Sequence, residues 1–331
     1  MNRRSETTFE HQACIYGSDG QFREMALPFL EAGLSNGEPV LAVTTPANLE
    51  LISSALGARS GEVDYAESAF FGRRPQQRVA AFHRYWRRHA DESEGDGTRV
   101  RVLAEPVWAG RSAREVAAWT RMESALNVAL AGTSVFMICP YDTRATAPEI
   151  VAAARRTHPV LADGPHASPS PDYADPAGFA GEWEAGPLPE PPVGAQVFEF
   201  DGDLRGLRRF ITSRAAAHGL AGERVGLLVQ AAGEVGTFLK NQAPGSAAVR
   251  TWEHADAVVC DFRQPGGSLS DPFLGLRPAE LDPRPGDGLW LSGQICDWID
   301  IRSDADGPTI RLQVPGRRNA EAAEQGIRYP A

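Results

Sequence analysis

The sequence lacks long apolar runs and is poor in cysteine. No segment reaches the roughly 18 consecutive apolar residues of a membrane-spanning helix, and no charged and apolar leader precedes Cys14, so we expect a cytoplasmic protein without a membrane span. The four cysteines show no Cys-x-x-Cys spacing, which favours reduced, buried thiols. The net charge is −10 and the basic runs are short, so the chain also lacks the clustered positive surface that nucleic-acid binding needs.

The length of 331 residues is typical of about two domains. The composition changes at residues 164–195, a stretch rich in Pro, Gly and Ala with little helical periodicity. We therefore predict an amino-terminal domain at 1–163, a semi-extended linker at 164–195, a second domain at 196–315 and a tail at 316–331.

In the amino-terminal domain, short apolar runs alternate with helical patterns from about His11 to Asp163. This alternation predicts an α/β fold whose mostly parallel sheet is covered by helices on both faces. The order of the opening strand, turn and helix resembles that of a P-loop domain of the RecA/KaiC type. The residues after Gly17 and Gly20 include neither the lysine that binds phosphate nor the hydroxyl that binds Mg²⁺ in a P-loop. We therefore predict that the fold of such a domain is kept but that it does not bind a nucleotide.

Polar and aromatic residues of this domain lie where predicted strands end. The carboxyl ends of parallel strands converge on the crevice where ligands bind, so these residues are candidates for a pocket. The candidates are Tyr16, Glu105, Tyr141 and Asp142. Structural roles are equally open to them, as a loop cap, as core tyrosines or as a turn residue.

Residues that can bind zinc are also present in this half of the chain. They are His11, Cys14, Cys139 and His158. Their side chains are all acceptable ligands, but no spacing supports a site. We therefore predict buried thiols and hydrogen-bonded histidines, and no metal.

One set of residues, spread over most of the domain, is more specific. It comprises His11-Gln-Ala-Cys14-Ile-Tyr16, Glu105, Glu123 with Asn127, Cys139-Pro-Tyr-Asp142 and His158-Pro159. Over residues 10–162 this set resembles the MEDS sensory domain. The resemblance implies a RecA-like sheet that senses a small organic or hydrocarbon-derived signal. It suggests as ligand-sensing residues His11, Tyr16, Glu105, Tyr141, Asp142 and His158.

The second domain is organised around Val225–Asn241, an almost wholly apolar run with one carboxylate, Glu234, near its middle. Apolar residues at three- and four-residue spacing predict a buried helix. A carboxylate rarely enters a core unpaired, so Glu234 lies either at a rim, where water solvates it, or in a pocket where it does chemistry.

The order of elements around this helix carries a second resemblance. A strand at 196–200 and a helix at 204–219 precede it; two strands, a Gly/Pro-rich loop, a helix at 289–299 and a terminal strand follow. This layout resembles the GHKL ATPase domain of the anti-sigma-factor serine kinases, an α+β sandwich. The resemblance implies Glu234 as general base, and a sigma factor or an anti-anti-sigma (STAS) protein as partner, with the helix at 204–219 in a homodimer. It implies as ATP-pocket residues Gly286, Gly288, Leu289 and Thr309.

Two positions depart from that family. Phe238 stands where its Mg²⁺-binding Asn is expected, and Gln264 stands where its adenine-reading Asp is expected. Phosphoryl transfer depends on the ion, so we expect a regulatory binding protein without ATP or Mg²⁺ as cofactor. The alternative is an active, ATP-dependent serine/threonine kinase of an anti-anti-sigma protein. We also expect Phe238→Asn with Gln264→Asp to leave folding largely intact.

Overall fold

The computed structural model describes residues 8–91, 99–164, 166–182, 188–220, 222–242, 245–254, 257–279 and 286–315. The chain divides into two compact units, Met1–Ala185 and Gly186–Ala331. The tail predicted at 316–331 lies outside the described residues. Every helix that the structure describes is too short or too polar to cross a lipid bilayer.

The amino-terminal unit is an α/β layer structure. Its elements are β1 (Glu10–Tyr16), α1 (Asp19–Ser35), β2 (Val40–Thr44), α2 (Pro46–Leu56), a short 3-10 helix (Gly57–Glu62), β3 (Asp64–Glu67), α3 (Pro75–Asp91), β4 (Val100–Ala104), α4 (Ala113–Ala129), β5 (Val135–Asp142), α5 (Pro148–Thr157), β6 (Val160–Asp163), β7 (His166–Pro169) and α6 (Pro176–Glu182). The strands lie in the order β3-β2-β4-β5-β1-β6-β7, and all neighbours are parallel except β6 and β7. The predicted mostly parallel sheet is confirmed.

Side chains of the central strand β1 alternate between two layers. Cys14 and Tyr16 pack with Phe22 of α1 on one face of the sheet. His11 instead lies near Asn127 of α4, on the other face. Because successive residues of a strand point to opposite faces, one strand supplies two separate sites.

The stretch predicted as a linker is partly folded into the amino-terminal unit. Between residues 164 and 195 the structure has β7 and α6, where the composition predicts a semi-extended chain. The reason lies in α6, where Phe179 is completely buried and Arg156 of α5 lies 5.0 Å over its ring. The same Arg156 pairs with Glu182, so α6 is held against α5 by both an apolar and an ionic contact.

The carboxyl-terminal unit combines three helices with an antiparallel sheet in its described part. Its elements are β8 (Gln196–Phe200), α7 (Leu204–Ala217), α8 (Glu223–Gln242), β9 (Ala247–His254), β10 (Ala257–Arg263), α9 (Asp287–Ile295), β11 (Trp298–Asp304) and β12 (Gly307–Pro315). The strand order is β11-β12-β10-β9-β8, with every neighbour antiparallel. The helix predicted at 289–299 is wrong at its end, because Trp298 and Ile299 belong to β11, which pairs with β12.

Candidate functional site

A cavity of about 470 Å³ lies at the carboxyl ends of the parallel strands in the amino-terminal unit. Tyr16 at the end of β1, Glu105 after β4 and Asp142 at the end of β5 all line it. We call it the edge cavity. Strand geometry thus brings together three residues that are far apart in sequence, as expected from the sheet topology.

Glu105 is a carboxylate of the edge cavity that accepts hydrogen bonds from three different side chains. Tyr16 Oη donates to its Oε1 at 2.8 Å, and Asn48 Nδ2 donates to its Oε2 at 2.8 Å. Thr44 Oγ1 donates to Oε2 as well, and Asn48 Nδ2 also lies 3.0 Å from Tyr16 Oη. The carboxylate is only 5% exposed, so three donors replace the water that it loses on burial.

Sequence reasoning missed Thr44 and Asn48. Thr44 is the last residue of β2 and Asn48 lies in the first turn of α2, so both lie near the carboxyl end of a strand, as Glu105 does. Their location near the end of a strand was the feature of the sequence that could have identified them. Thr and Asn are common at strand ends and helix starts for local reasons, and the signal was therefore not specific.

The rim of the edge cavity is charged. Arg144 pairs with Asp142 at 2.9 Å and with Asp19 at 2.8 Å. The hydrogen bonds from Arg144 hold the pKa of Asp142 below its ordinary value. Trp108 also lines the cavity; it is buried, and its indole N–H has no hydrogen-bond partner among the described residues.

A second group of polar side chains is buried on the other face of the sheet. It consists of His11 (β1), Glu123 (α4), Cys139 (β5) and His158, which follows α5; one ligand-type atom from each lies within 4.8 Å of all the others. We call it the buried cluster. His11 Nε2 is 3.5 Å from Cys139 Sγ, and His158 Nε2 is 3.7 Å from Glu123 Oε2. Three residues considered as zinc ligands meet here, with Glu123 in place of Cys14.

Burial shifts every titratable group of the buried cluster towards its neutral form. It raises the pKa of Glu123 to about 7, against a smaller opposing effect of Arg78, and lowers the pKa of His158 to about 4. The pKa of His11 is lowered by burial and by His158, and the pKa of Cys139 is raised by burial. Each direction follows from the cost of a charge in a low-dielectric interior.

Residues 10–159 match the family described as MEDS, the MEthanogen/methylotroph, DcmR Sensory domain. The amino-terminal unit contains a MEDS domain. The predicted resemblance is confirmed for this part of the chain, and both the edge cavity and the buried cluster lie within the match. No curated protein matches the chain.

Arg78 of α3 connects the two sites of the MEDS domain. Its guanidinium donates to the backbone carbonyls of Ser68, Phe71 and Glu105. The same cation lowers the pKa of Glu123 by its charge. Burial in turn lowers the pKa of Arg78 to about 10, and the side chain is only 1% exposed. Sequence reasoning missed this residue, because an arginine on a helix is usually solvated.

Tyr141, a pocket candidate, and Cys14, a zinc-ligand candidate, both lie away from the residues with which the sequence groups them. Tyr141 is buried and is not among the described residues that line the edge cavity; its ring stacks on Trp108 and meets the His158 ring edge-on. It therefore separates the two sites. Cys14 lies with Tyr16 on the opposite face from His11, and burial raises its pKa to about 12.

The carboxyl-terminal unit places Glu234 against the start of α9. A Cβ on Gly288 would lie 2.5 Å from Glu234 Oε2, so a larger residue at this position would displace the carboxylate. Glu234 is half-buried and lines a smaller cavity of about 250 Å³ with Arg208 and Thr237. Gly286 caps α9 with a φ of 102°, and Leu289 is completely buried in the core.

The positions that depart from the kinase pattern are structural here. Phe238 is 6% exposed and belongs to the hydrophobic core, so we now expect Phe238→Asn to cost about 3–5 kcal/mol of stability, more than the sequence alone suggests. The backbone N–H of Gln264 donates to Pro308, and its side chain is buried. The hydroxyl of Thr309 accepts a hydrogen bond from Arg263, which also pairs with Asp304.

Proposed function

We propose that this protein is a ligand-responsive regulator. In this proposal the MEDS domain binds a small organic molecule in the edge cavity. The carboxyl-terminal unit is a degenerate GHKL module that contacts a sigma factor or an anti-anti-sigma protein and transfers no phosphate. The observation that carries the proposal is Glu105, a carboxylate buried in the cavity wall and fixed by three donors.

The charges of the edge cavity favour a particular ligand class. Four carboxylates and two guanidinium groups line it, which gives a net charge of −2; they are Asp19, Glu50, Glu105, Asp142, Arg23 and Arg144. A wall with this excess attracts a cation or a neutral hydrogen-bond donor and repels an anion. The ring of Trp108 lines the same cavity and offers an apolar surface to the carbon atoms of such a molecule. A small amine or alcohol meets both requirements.

The carboxyl-terminal unit supports binding without catalysis. Phe238 fills core space where a metal-binding amide would be required, and the hydroxyl of Thr309 is already bonded to Arg263. Mg²⁺ needs a nearly octahedral set of oxygen ligands to neutralise a transferring phosphoryl group. A protein-binding surface does not depend on those residues, so it can persist when the nucleotide chemistry is lost.

The ligand class is tested by thermal denaturation of the full chain with small aliphatic amines, alcohols and carboxylic acids as probes. Selective binding to the native state raises the melting temperature. We expect amines or alcohols to raise it and carboxylic acids to leave it unchanged. Trp108→Phe should weaken the response, and Arg144→Ala should strengthen the response to amines, because it removes a positive charge from the cavity.

The matched control for Arg144 is Arg59→Ala, because Arg59 is a similarly exposed arginine that pairs with Glu62 outside the edge cavity. An equal response in both arginine variants would contradict binding at this site. A response to carboxylic acids alone would contradict the ligand class.

The regulatory half of the proposal is tested with purified sigma factors and STAS proteins from the same organism. We expect calorimetric binding of at least one of them, with no change on adding ATP and Mg²⁺, and no transfer of labelled phosphate. Phosphorylation of a STAS protein that disappears in Glu234→Ala would replace this proposal by the kinase alternative. Absence of binding to every candidate would overturn the choice of partner class.

A further inference from the structure

We propose that the buried cluster is a binding site for a divalent transition-metal ion, with Zn²⁺ as the preferred ion. Its ligands are His11 Nε2, Glu123 Oε2, Cys139 Sγ and His158 Nε2. Imidazole, thiolate and carboxylate are the three ligand types that Zn²⁺ takes in proteins. The site shares no ligand atom with the edge cavity, because its four residues lie on the other face of the sheet.

Hydrogen bonds fix the tautomers of both histidines. Asn127 Nδ2 donates to the carbonyls of Ser124 and Thr157, so its Oδ1 is left to accept from His11 Nδ1 at 3.1 Å. His158 Nδ1 lies 2.8 Å from the carbonyl oxygen of Ala154, which can only accept. Each ring therefore carries its proton on Nδ1.

As a consequence, the Nε2 atom of each histidine is unprotonated, and its lone pair points into the cluster. The His11 lone pair on Nε2 faces Cys139, and the His158 lone pair on Nε2 faces Glu123. A metal-binding histidine usually donates its second N–H to a carbonyl or carboxylate in this manner. The outer hydrogen bonds of a metal site are thus already formed.

The distances fit a tetrahedron with small adjustments. Bonds of about 2.0–2.3 Å place neighbouring zinc ligands roughly 3.3–3.7 Å apart. The structure has 3.5 Å from His11 to Cys139, 3.7 Å from His158 to Glu123 and 3.9 Å from His11 to Glu123. The four atoms all lie within 4.8 Å of one another, so the widest separation needs a contraction of about 1 Å.

Two polar atoms of the cluster lack any other role. Glu123 Oε2 and His158 Nε2 are buried and have no hydrogen-bond partner among the described residues. A buried polar atom without a partner destabilises the fold, and a charged one does so more strongly. A bound cation would satisfy both atoms at once.

The charges also balance. Two neutral imidazoles, one thiolate and one carboxylate carry −2, which a divalent cation neutralises. Both histidine side chains are completely buried and that of Glu123 is 5% exposed, so all four ligands come from the protein interior. Four protein ligands without an open position are typical of a structural zinc site. The ion would fix β1, α4, β5 and the end of α5 to one another.

The experiment measures metal content and spectra of the full chain, freed of metal by a chelator and then loaded with Zn²⁺ or Co²⁺. After gel filtration we expect about one Zn²⁺ per chain and a raised melting temperature. Co²⁺ should give intense visible bands and a thiolate charge-transfer band, as a tetrahedral site with a cysteine ligand does. Cys139→Ala should lose the metal and the charge-transfer band.

Control variants separate this site from other thiols and from misfolding. Cys14→Ala removes a cysteine that is equally buried on the neighbouring strand β1, and it should bind metal like the unaltered protein. Glu123→Gln keeps the side-chain size and should fold without metal, as judged by circular dichroism, yet lose zinc. Asn127→Ala should weaken zinc affinity about 10–100-fold, because Asn127 orients His11.

Two results would overturn the proposal. One is an unaltered protein that takes up no more Zn²⁺ than a folded Glu123→Gln. The other is a Co²⁺ spectrum without a charge-transfer band, or one that Cys14→Ala and Cys139→Ala diminish equally.

Discussion

Glu105 and Glu123 are both buried carboxylates in one domain, yet their surroundings are opposite. Glu105 accepts hydrogen bonds from Tyr16, Thr44 and Asn48 and lines an open cavity. Glu123 faces two imidazoles and a thiol, and its Oε2 has no hydrogen-bond partner among the described residues. Arg78 donates a hydrogen bond to the backbone carbonyl of Glu105, whereas its effect on Glu123 is to lower the pKa through its charge.

The difference shows how a buried carboxylate is stabilised in two ways. Donors from neighbouring side chains complete Glu105 within the protein, so it can present a fixed negative surface to a ligand. Glu123 has a hydrogen bond with Cys139 and the charges of Arg78 and Arg111 nearby, but these do not offset the effect of its burial, so a proton or a cation stabilises it further. We therefore assign recognition of an organic molecule to the first site and recognition of a metal ion to the second.

The largest effect is expected for Glu105→Ala. This change leaves the hydroxyls of Tyr16 and Thr44 without their acceptor in a buried place, and leaves the amide of Asn48 with Tyr16 Oη alone. We expect a loss of about 3–5 kcal/mol in the free energy of unfolding, measured by urea denaturation. Glu123→Gln in the metal-free protein is the matched control and should cost less than about 1 kcal/mol. Equal losses in the two variants would remove the distinction between the sites.

A smaller effect, and of defined sign, is expected from pH. The pKa of Glu123 is raised from its ordinary 4.5 to about 7, so the native state prefers the protonated form. Its contribution to stability is present below pH 4.5 and is lost as pH rises through 7. Glu123→Gln does not titrate. Between pH 5 and 7 the metal-free protein should lose about 2–3 kcal/mol relative to that variant.

The lowered pKa values of His11 and His158 act in the opposite direction, since these rings resist protonation as pH falls. Both histidines are present in the unaltered protein and in Glu123→Gln. The difference between the pH dependences of their stabilities therefore reports the titration of Glu123. With saturating Zn²⁺ the stability of the unaltered protein should instead rise with pH, because the side chains bind the ion in their deprotonated forms. A difference that is flat with pH in the metal-free proteins would contradict the raised pKa.

A moderate effect is expected for Asn127→Ala in the metal-free protein. The change removes the acceptor of His11 Nδ1 and two donors to backbone carbonyls in a half-buried place. We expect a loss of about 1–2 kcal/mol in the free energy of unfolding. Zinc should make the loss larger, because the variant also binds the ion less tightly. If the loss of stability were the same with and without zinc, Asn127 would have no role in zinc binding.

Most of the MEDS domain fold could be predicted because its strands are short apolar runs bounded by turn residues. The predicted strand at 40–44 coincides with β2, for example. The strand β7 and the helix α6 could not be predicted, because the Pro- and Gly-rich composition masks the contacts that order them, the pairing of β7 with β6 and the burial of Phe179 in α6. In the second unit the apolar stretch at 289–299 reads equally well as a helix or as a helix followed by a strand.

The sites were predictable to different degrees. The rule that parallel strand ends converge finds Tyr16, Glu105 and Asp142 without any knowledge of side-chain contacts. The buried cluster depends on register, because His11 lies opposite Met137 and hence on the same face as Cys139. Sequence alone gives the alternation that separates Cys14 from His11 but not the pairing of β1 with β5.

The smallest effect on stability is expected for Arg144→Ala at the rim of the edge cavity. Its side chain is 48% exposed and its pairs with Asp19 and Asp142 are solvated, so the loss should stay below about 1 kcal/mol. The variant nevertheless makes the cavity more negative by one charge. Binding of a cationic probe should then become more sensitive to salt, which titrations at low and high ionic strength measure. A large loss of stability would mean that the rim, and not Glu105, holds this edge of the sheet together.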